Sequence, residues 1–522
     1  MVPTLVRHPM TAKNLRPALM AAAVLAFTHA VPAWSAAESL LHSFAAPASD
    51  GSNTDGSAPD QVLVHGNDGN FYGTAFYLGP GFNGTVFKMT PSGAVTVLHA
   101  FGPSTENPNG GDTSADGADP RDLALGADGM FYGVAGAGGA HGNGTVFRIA
   151  PDGSFTLLHT FSVTDGACDS CGSNTDGTRP ARVVPVADGS LYGIAGGGGA
   201  NALGTFFKID GAGHFSTIAS FTAGQPAPGE LQLGSDGNFY GLTDSSIVKL
   251  TPNGNYSIMH TLSASVEGSS AQALIIGRDG NFYGTTGADG ANGNGSLFKV
   301  TLAGTTTVLH AFGPTNTILV FDLYAVPRWH HVSFVNGEGT RPESLIQGSD
   351  GSLYGANLTG GVNDYGTIYK LDPDGAFTLL YTFGSNATTS SSADALEPGP
   401  LTDDGNGNLI GGSYMGGAGS TGAIFKLSMN APLSVAAAFT PATVKLGEPT
   451  QLSWSSTAAQ SCAVKGVVPG MFIGKVATSG HRKVTPRSTW TIQPGVFFAT
   501  VVCTGADDSQ ATAAATLSIN SP

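Results

Sequence analysis

The chain has 522 residues, of which 76 are glycine and only 11% are charged, and its formal net charge is −15. This length allows more than one domain, and abundant glycine favours short strands and tight turns over helices. An acidic chain repels phosphate backbones, so the composition argues against a nucleic-acid partner. These properties predict an all-β protein.

Residues 1–37 have the pattern of a secretory signal peptide. Basic residues precede an apolar run from Ala18 to Phe27, and small residues follow it. An uncleaved anchor is the alternative, but the run is shorter than the roughly 20 apolar residues that span a bilayer. We predict a mature chain that is secreted or periplasmic and has no membrane span. The sequence does not indicate its oligomeric state.

From residue 38 to residue 430 the chain repeats one pattern. The stretch Asp236–Gly241 (DGNFYG) has near-copies that begin at Asp68, Asp128, Asp188, Asp279 and Asp350. A more diverged copy begins at Asp404. Each Asp-Gly pair lies between apolar and aromatic runs, which predicts a hairpin with a type I′ turn. A second turn, Pro-x-Gly, recurs later in the repeat. Four short strands per repeat indicate one blade of a β-propeller.

The number of strand motifs predicts how the repeats close. The third-strand motif, GTVFK at residues 84–88, occurs in seven versions, but a fourth-strand motif follows only six of them. A spare fourth-strand motif, LLHSF, stands at Leu40–Phe44, before the first repeat. We expect it to pair with residues 422–427 and so cover an open sheet edge. The prediction is a seven-bladed β-propeller with 3+1 closure by the N-terminal strand.

The motifs LLHxF, DGNFYGT and GTVFKxTPxG together resemble the GloVer tandem repeats found in exported bacterial proteins. The resemblance covers about residues 39–427. The seventh copy departs from the pattern, because Leu409 and Ile410 replace its aromatic pair. The resemblance implies a propeller-like exported protein, and it carries no established reaction or catalytic residue.

Residues 431–522 lack the Asp-Gly hairpins. Alternating residues at 450–456, 482–492 and 497–505 predict a small antiparallel β-sandwich, and the segment resembles the immunoglobulin-like domains of bacterial surface proteins. A sandwich without a bond between its sheets is the alternative. In either case we expect a spacer or adhesion module.

Four cysteines in an exported chain favour disulfides. Cys462 and Cys503 are 41 residues apart, a separation suited to joining the two sheets of the sandwich. Cys168 and Cys171 lie in a loop whose other candidate ligands are aspartates, which are poor partners for thiolates in the alternative, a zinc site. A redox pair usually opens a helix, and none is predicted there. We predict disulfides and no metal centre.

Two sets of residues recur in register along the repeats. Histidine recurs in the fourth strand, but neighbouring fourth strands would lie more than ~10 Å apart, too far to share a metal ion. A structural hydrogen bond between blades is expected instead. A basic residue ends each third strand; a polyanion-binding ring is the alternative to side chains whose stems cover apolar surface. The aromatic pairs are predicted to pack in the core.

The tight turns share one face of a propeller, so the variable connections lie on the other face, where function usually sits. The longest connection, residues 313–340, contains Arg328, Trp329, His330 and His331. These residues suit sugar stacking or a protein contact, or the segment forms a lid. Charged residues also precede or begin several inner strands, at the predicted channel mouth: Asp60, Arg121, Asp122, Arg182, Glu230 and Glu343. They suit acid–base chemistry on a glycan, or form a solvated rim.

Three connections are rich in aspartate: residues 50–56, 109–119 and 165–177. Calcium prefers such oxygen ligands, but no connection has EF-hand spacing, and flexible turns are the alternative. Calcium is the one cofactor for which the sequence offers an argument.

We predict an exported, non-enzymatic binding or scaffold protein that presents its variable face to a polysaccharide, a cell surface or a protein. The first alternative is a secreted glycan-cleaving lyase or hydrolase with its site at the channel mouth. The second is a purely structural component of the envelope.

Overall fold

The structure of the protein is a computed structural model that describes residues 37–59, 63–106, 112–166, 172–314, 316–321, 330–384, 395–429, 434–457, 459–466, 474–486, 495–505 and 510–521. All regular secondary structure within these ranges consists of β-strands. The described segments include no apolar helix of membrane-spanning length. Residues 1–36 of the predicted signal peptide lie outside the described residues.

The strands before residue 315 are β1 (Ala37–Ser43), β2 (Val64–His65), β3 (Phe71–Ala75), β4 (Thr85–Met89), β5 (Val95–Ala100), β6 (Ser114–Leu125), β7 (Phe131–Gly139), β8 (Thr145–Ile149), β9 (Phe155–Thr160), β10 (Thr178–Pro185), β11 (Leu191–Gly197), β12 (Thr205–Ile209), β13 (Phe215–Ser220), β14 (Glu230–Leu233), β15 (Phe239–Thr243), β16 (Ser246–Leu250), β17 (Tyr256–Thr261), β18 (Ser269–Ile276), β19 (Phe282–Ala288), β20 (Ser296–Val300) and β21 (Thr306–Ala311). The later strands are β22 (Asn316–Phe321), β23 (His330–Val335), β24 (Thr340–Gln347), β25 (Leu353–Thr359), β26 (Thr367–Leu371), β27 (Phe377–Thr382), β28 (Ala395–Asp403), β29 (Asn408–Gly416), β30 (Ala423–Ser428), β31 (Ser434–Thr440), β32 (Thr443–Lys445), β33 (Thr450–Thr457), β34 (Ala459–Gly466), β35 (Gly474–Val476), β36 (Gly480–Val484), β37 (Gly495–Gly505) and β38 (Gln510–Asn520).

Four-stranded antiparallel sheets make up the repeat region. In chain order the described residues form a first sheet (β2–β5), a second (β6–β9), a third (β10–β13), a fourth (β14–β17), a fifth (β18–β21), a sixth (β24–β27) and a seventh (β28–β30 with β1). Within the first six, each strand pairs with the next one in sequence, so each repeat forms a sheet by itself.

The seventh sheet takes its outer strand from the other end of the repeat region. Strand β1 pairs antiparallel with β30, with Leu40 opposite Phe425 and Ser43 opposite Ala423. The Phe44 amide then donates to the Gly422 carbonyl over 3.2 Å. The predicted pairing of the spare N-terminal motif is therefore present.

The cores lie between successive sheets. Tyr72 of the first sheet, for example, packs with Leu123 and Phe131 of the second. Similar clusters join the second sheet to the third, and so on to the seventh. A further cluster joins the seventh sheet to the first, where Ile410 packs with Phe87. Neighbouring sheets therefore share their apolar cores in a cyclic order.

In six of the seven sheets, the glycine after the first two residues of the second-strand motif allows a close ring contact. Gly193 on β11 lies opposite Phe207 on β12, and a Cβ atom at Gly193 would come within 2.2 Å of the Phe207 ring. The third-strand phenylalanine thus lies across a backbone that has no side chain there. This contact explains why the FYG and GTVFK motifs occur together.

The Asp-Gly hairpins form, but their predicted turn type is wrong. Gly237 has a φ of +75°, whereas Asp236 is not among the residues with positive φ. The Gly237 amide donates to the Gly234 carbonyl over 3.0 Å, and the Gly234 amide donates to Asn238 over 2.8 Å. The hairpin is therefore a longer loop that ends in one left-handed glycine, a geometry that needs positive φ only once.

The C-terminal residues form two sheets that share one core. One sheet has the order β31-β33-β36 and the other β32-β38-β37-β34-β35. Trp454 and Leu452 of the smaller sheet pack with Val501 and Leu517 of the larger one. The described residues thus form the two packed sheets of a sandwich.

The disulfide between Cys462 and Cys503 is present, but it does not join the two sheets. The two cysteines lie opposite each other on β34 and β37, which are neighbours in one sheet. The sequence separation alone did not distinguish strands that face each other across the core from strands that pair side by side. Cys168 and Cys171 lie outside the described residues.

Candidate functional site

The first strands of five sheets line one cavity of about 300 Å³, which we call the central cavity. Its polar lining includes Arg182 of the third sheet, Glu230 and Gln232 of the fourth, Gln272 of the fifth, Glu343 of the sixth and Tyr414 of the seventh. Apolar side chains such as Leu274 and Leu401 complete the wall. Its volume lies at the lower end of the range for small-ligand sites.

The charged centre of the cavity wall is Arg182, which lies between two carboxylates. Its Nη2 atom donates to Glu230 Oε1 over 2.8 Å, and its Nη1 atom lies 3.6 Å from Asp122 Oδ1. Asp122 Oδ2 also accepts the Val183 amide over 2.8 Å. The three side chains come from three different sheets, so this cluster ties the first strands of those sheets together.

Burial dominates the ionisation of this cluster. It raises the pKa of Asp122 and the pKa of Glu230, and the nearby guanidinium of Arg182 opposes part of that effect. Burial alone would lower the pKa of Arg182, but Glu230 and Asp122 outweigh it and raise that pKa. A guanidinium with two carboxylates leaves one net negative charge when all three are ionised.

The remaining predicted rim residues do not all reach this cavity. Glu343 lines it and accepts a 2.9 Å hydrogen bond from Arg341. Arg121 lies instead over the Phe76 ring, with its guanidinium carbon 5.4 Å from the ring centre. Asp60 lies outside the described residues.

The long connection at residues 313–340 contains a hairpin of β22 and β23, which pair antiparallel as a separate two-stranded sheet. His330 and His331 lie on β23, opposite Phe321 and Val320. Arg328 and Trp329 lie outside the described residues. The sequence predicted a loop here, and the β-branched and aromatic residues of NTILVF and HHVSFV explain why strands form.

Sequence reasoning missed four polar residues of the central cavity: Gln232, Gln272, Ser344 and Tyr414. A signal for Gln272 was available. Gln272 stands seven residues before Asp279, just as Glu343 stands seven residues before Asp350. Only charged residues were considered at this position of the repeat, so the amide side chain of Gln272 was not predicted.

The recurring histidines hold the connections between sheets. His99 Nε2 lies 2.8 Å from Asp116 Oδ2, and the His99 ring stacks on Phe155 of the next sheet at 3.9 Å. A contact between a fourth-strand histidine and a carboxylate of the following connection occurs four more times. The pairs are His42–Asp55, His159–Asp176, His260–Glu267 and His310–Glu338. These contacts are the structural hydrogen bonds that the pattern predicted.

Four of the recurring lysines are neutralised within their own sheet. Lys88 Nζ lies 2.7 Å from Asp68 Oδ2 and 5.5 Å from the centre of the Tyr72 ring. The same arrangement occurs at Lys249–Asp236, Lys299–Asp279 and Lys370–Asp350. These four ammonium groups each have their own carboxylate, which makes them poorly suited to holding a polyanion.

The described parts of the aspartate-rich connections use their carboxylates internally. Asp55, Asp116 and Asp176 each contact a histidine, and Asp116 also accepts the Gly102 amide over 3.2 Å. Among the described residues, no three acidic, histidine or cysteine side chains cluster in a way that would hold a metal ion.

The central cavity is chemically suited to a ligand that both donates and accepts hydrogen bonds. Carboxylate oxygens accept, the guanidinium donates, and each glutamine amide does both. Within the described part of the chain, the side chains of Gln232 and Gln272 have no hydrogen-bond partner. Hydroxyl groups of a sugar supply the complementary donors and acceptors.

Residues 39–172 and 169–322 each match the family described as the Gloeobacter/Verrucomicrobia repeat. No curated protein matches the sequence.

Three solved structures illustrate the structural similarity. An extracellular domain attributed to a hybrid two-component system of B. thetaiotaomicron is 10% identical with a TM-score of 0.48; the match covers 92% of this chain and 59% of that one. A gluconolactonase from Xanthomonas campestris is 14% identical with a TM-score of 0.33, over 75% and 89% of the two chains. An ulvan lyase of polysaccharide lyase family 25 is 11% identical with a TM-score of 0.31, over 91% and 96%. At these values no activity is transferred to this chain, which also spans only 59% of the first structure.

Proposed function

From the premise that this chain belongs to the Gloeobacter/Verrucomicrobia repeat family, we propose that it is an exported protein that binds a neutral carbohydrate in its central cavity. The observation that carries the proposal is the polar lining of that cavity by first strands of five sheets. Export rests on the signal pattern of residues 1–37 and on four cysteines.

In this proposal the seven sheets are the blades of one propeller. Two observations support that arrangement: the apolar clusters follow one another cyclically, and the first strands of five sheets border a single cavity. A propeller brings its inner strands together around one axis. The C-terminal sandwich is then an immunoglobulin-like spacer or adhesion module.

A neutral sugar fits the charges better than an acidic one. Glu230 and Glu343 line the cavity beside Arg182, and the carboxylate of Asp122 partly neutralises the positive charge of Arg182. The whole chain has a net charge of −15, which repels an approaching polyanion. A neutral glycan has hydroxyl groups for the glutamine amides and brings no negative charge.

The test is direct binding of the mature chain, residues 38–522, to cello-, xylo-, manno- and maltooligosaccharides, with and without calcium, by calorimetry. We expect at least one series to bind, and the Gln232→Ala variant to bind it about fivefold more weakly, since one lost hydrogen bond is worth about 1 kcal/mol. Failure of every neutral oligosaccharide to bind would overturn the proposal.

A matched control is His214→Ala. Among the described residues, the His214 side chain bonds only to Asp210, in an exposed turn where the side chain is 80% exposed. This variant should bind as the wild type does. Equal weakening in both variants would mean that Gln232 does not contact the sugar. Binding that requires calcium would support the proposal that the aspartate-rich connections hold that ion.

Glycan cleavage is the second candidate. Burial raises the pKa of Glu230 and of Asp122, as expected of a general acid. In glycoside hydrolases, however, the two carboxyl groups flank the scissile bond, whereas here both contact the guanidinium of Arg182. The test is release of new reducing ends or unsaturated products. If the wild type releases them and Glu230→Gln does not, the protein is a catalyst and the binding proposal is replaced.

A further inference from the structure

The fourth sheet lacks a loop that the other sheets have. Only Asp244 and Ser245 separate β15 from β16, whereas between five and nine residues separate the second and third strands of every other four-stranded sheet. In the first, second, third, sixth and seventh sheets that loop lies against the start of the following sheet. Gly144, for instance, lies so close to the next sheet that a Cβ atom on it would be 2.4 Å from Pro180.

The missing loop leaves a second cavity of about 370 Å³, which we call the notch. Three segments line it: residues 226–230 before and at the start of β14, residues 242–245 of the short hairpin, and residues 271–272 of the fifth sheet. The hairpin itself is firmly held, since the Leu262 amide donates to the Ser245 carbonyl over 2.8 Å. The notch is thus a gap between well-formed strands.

The notch and the central cavity adjoin. Glu230 and Gln272 line both of them. The two residues belong to the first strands of neighbouring sheets, so the two cavities share this part of their walls. The open wall adds further polar groups, among them the exposed Asp244 carboxylate and the Ser245 hydroxyl.

We propose that the notch is a second binding subsite, through which a linear neutral oligosaccharide extends outward from the central cavity. This inference rests on the proposed function. A linear chain occupies both cavities at once, whereas a single sugar or a branched terminus occupies only the central one. We expect the chain to leave at this sheet, because at five of the other sheets a longer loop lies against the following sheet.

The chain offers a clean way to block the notch. Gly229 lines it, has no atom within 4 Å of the position of an added Cβ, and does not have positive φ. The Gly229 amide donates to the Leu242 carbonyl over 2.9 Å, a bond that any residue other than proline keeps. Gly229→Trp therefore adds an indole ring at the wall of the notch and leaves the backbone unstrained.

Gly224 is the matched control. It also has open space around an added Cβ and no positive φ, but it does not line the notch. Gly224→Trp adds the same side chain nearby. Gly229→Ala, with a small side chain, tests whether the site tolerates any substitution.

The experiment compares two-unit and six-unit oligosaccharides of whichever neutral series binds the wild type. We expect the six-unit probe to bind at least tenfold more tightly than the two-unit probe in the wild type, Gly224→Trp and Gly229→Ala. In Gly229→Trp that length advantage should fall below about twofold, with two-unit binding unchanged.

Two results would overturn the inference while leaving the proposed function intact. One is equal affinity of the two probes in the wild type. The other is an undiminished length advantage in Gly229→Trp. If neither probe of any neutral series binds the wild type, the proposed function fails, and the subsite fails with it.

Discussion

At the scale of single residues, many charged side chains in the described strands and connections contact a group of opposite charge. Arg182 separates two carboxylates that burial would otherwise drive toward the neutral form. His99 likewise contacts a carboxylate, that of Asp116, at the connection to the next sheet. With only 11% of its residues charged, the protein uses these groups as specific ties between sheets.

The first prediction concerns Arg182→Met. Removing the guanidinium leaves Asp122 and Glu230 buried without a cationic partner, which should cost about 3–5 kcal/mol at neutral pH. Burial already raises the pKa of both carboxyls, and losing Arg182 raises each further. Protonation then relieves the penalty, so the loss should be smaller at pH 5 than at pH 8. Urea unfolding at the two pH values measures it.

The control for this prediction is Arg278→Met. Arg278 is exposed, and its guanidinium donates to the Ser349 carbonyl over 3.1 Å. Its removal should cost about 1 kcal/mol or less at both pH values. A loss in Arg182→Met that does not depend on pH would show that the carboxylates do not gain protons when the arginine is removed.

At the scale of single elements, the Asp-Gly hairpin is organised around one carboxylate. Asp236 Oδ2 accepts hydrogen bonds from Tyr240 over 2.7 Å, from Asn238 over 2.7 Å and from Lys249 over 3.0 Å. Partial burial would raise the pKa of Asp236, but these donors together hold it well below its usual range. The repeat therefore encodes the turn and the contact that anchors it in the same six residues.

The second prediction concerns Asp236→Asn. Because the folded-state pKa is depressed, the carboxylate stabilises the protein fully above its ordinary pKa near 4 and progressively less as pH falls below it. The side chain is 43% exposed, so solvent screening limits the expected loss at pH 7 to about 1 kcal/mol. The difference from the wild type should shrink at pH 3, as measured by chemical unfolding.

Asp374→Asn is the matched control for the hairpin. Asp374 lies in an exposed Pro-x-Gly turn and accepts one bond, from the Ala376 amide over 3.1 Å. It should change stability by no more than about 0.5 kcal/mol. If both variants lose the same stability, the anchoring role of Asp236 is refuted.

At the scale of the whole molecule, stability depends on strand β1 reaching the seventh sheet. Phe44, only 1% exposed, packs with Phe87 and Ile424 and so links that sheet to the first. His42 ties the same segment to Asp55 over 2.9 Å. Every other four-stranded sheet takes all its strands from one stretch of chain.

The third prediction concerns deletion of residues 37–44 from a chain that begins at Ala37, the first residue of β1. The deletion leaves the β30 edge without a partner and opens the core between the seventh and first sheets. We expect a melting temperature at least 10 °C lower, and dimers or larger species formed through the free edge. Thermal unfolding and light scattering measure both effects, and a chain that begins at Ala37 is the control. A monomeric deletion variant with unchanged melting would contradict the predicted role of β1.

Local patterns predicted much of the fold because each repeat carries its own turns and strand motifs. The hairpins at Asp68 to Asp404 and the pairing of β1 with β30 were readable from motif spacing. The disulfide between Cys462 and Cys503 was predicted, but its place within one sheet was not. Sequence separation carries no information on whether two strands pair or face each other.

The candidate site was predictable only in part. Arg182, Glu230 and Glu343 were identified as charged residues near the start of inner strands, and they do line the central cavity. Arg121 was identified on the same grounds, yet it lies over Phe76 instead. Successive side chains of a strand point to opposite faces, so Arg121 and Asp122 do not meet the same neighbours.

The sequence by itself determined the repeat, its turns and the residue that anchors each hairpin, because all of these are interactions between residues close in the chain. Only the tertiary structure decided that Arg182 meets both Asp122 and Glu230, and that the short hairpin at Asp244 opens a notch beside Gln272. Those features depend on how neighbouring sheets are placed against each other, and that placement is determined by packing between residues far apart in the chain.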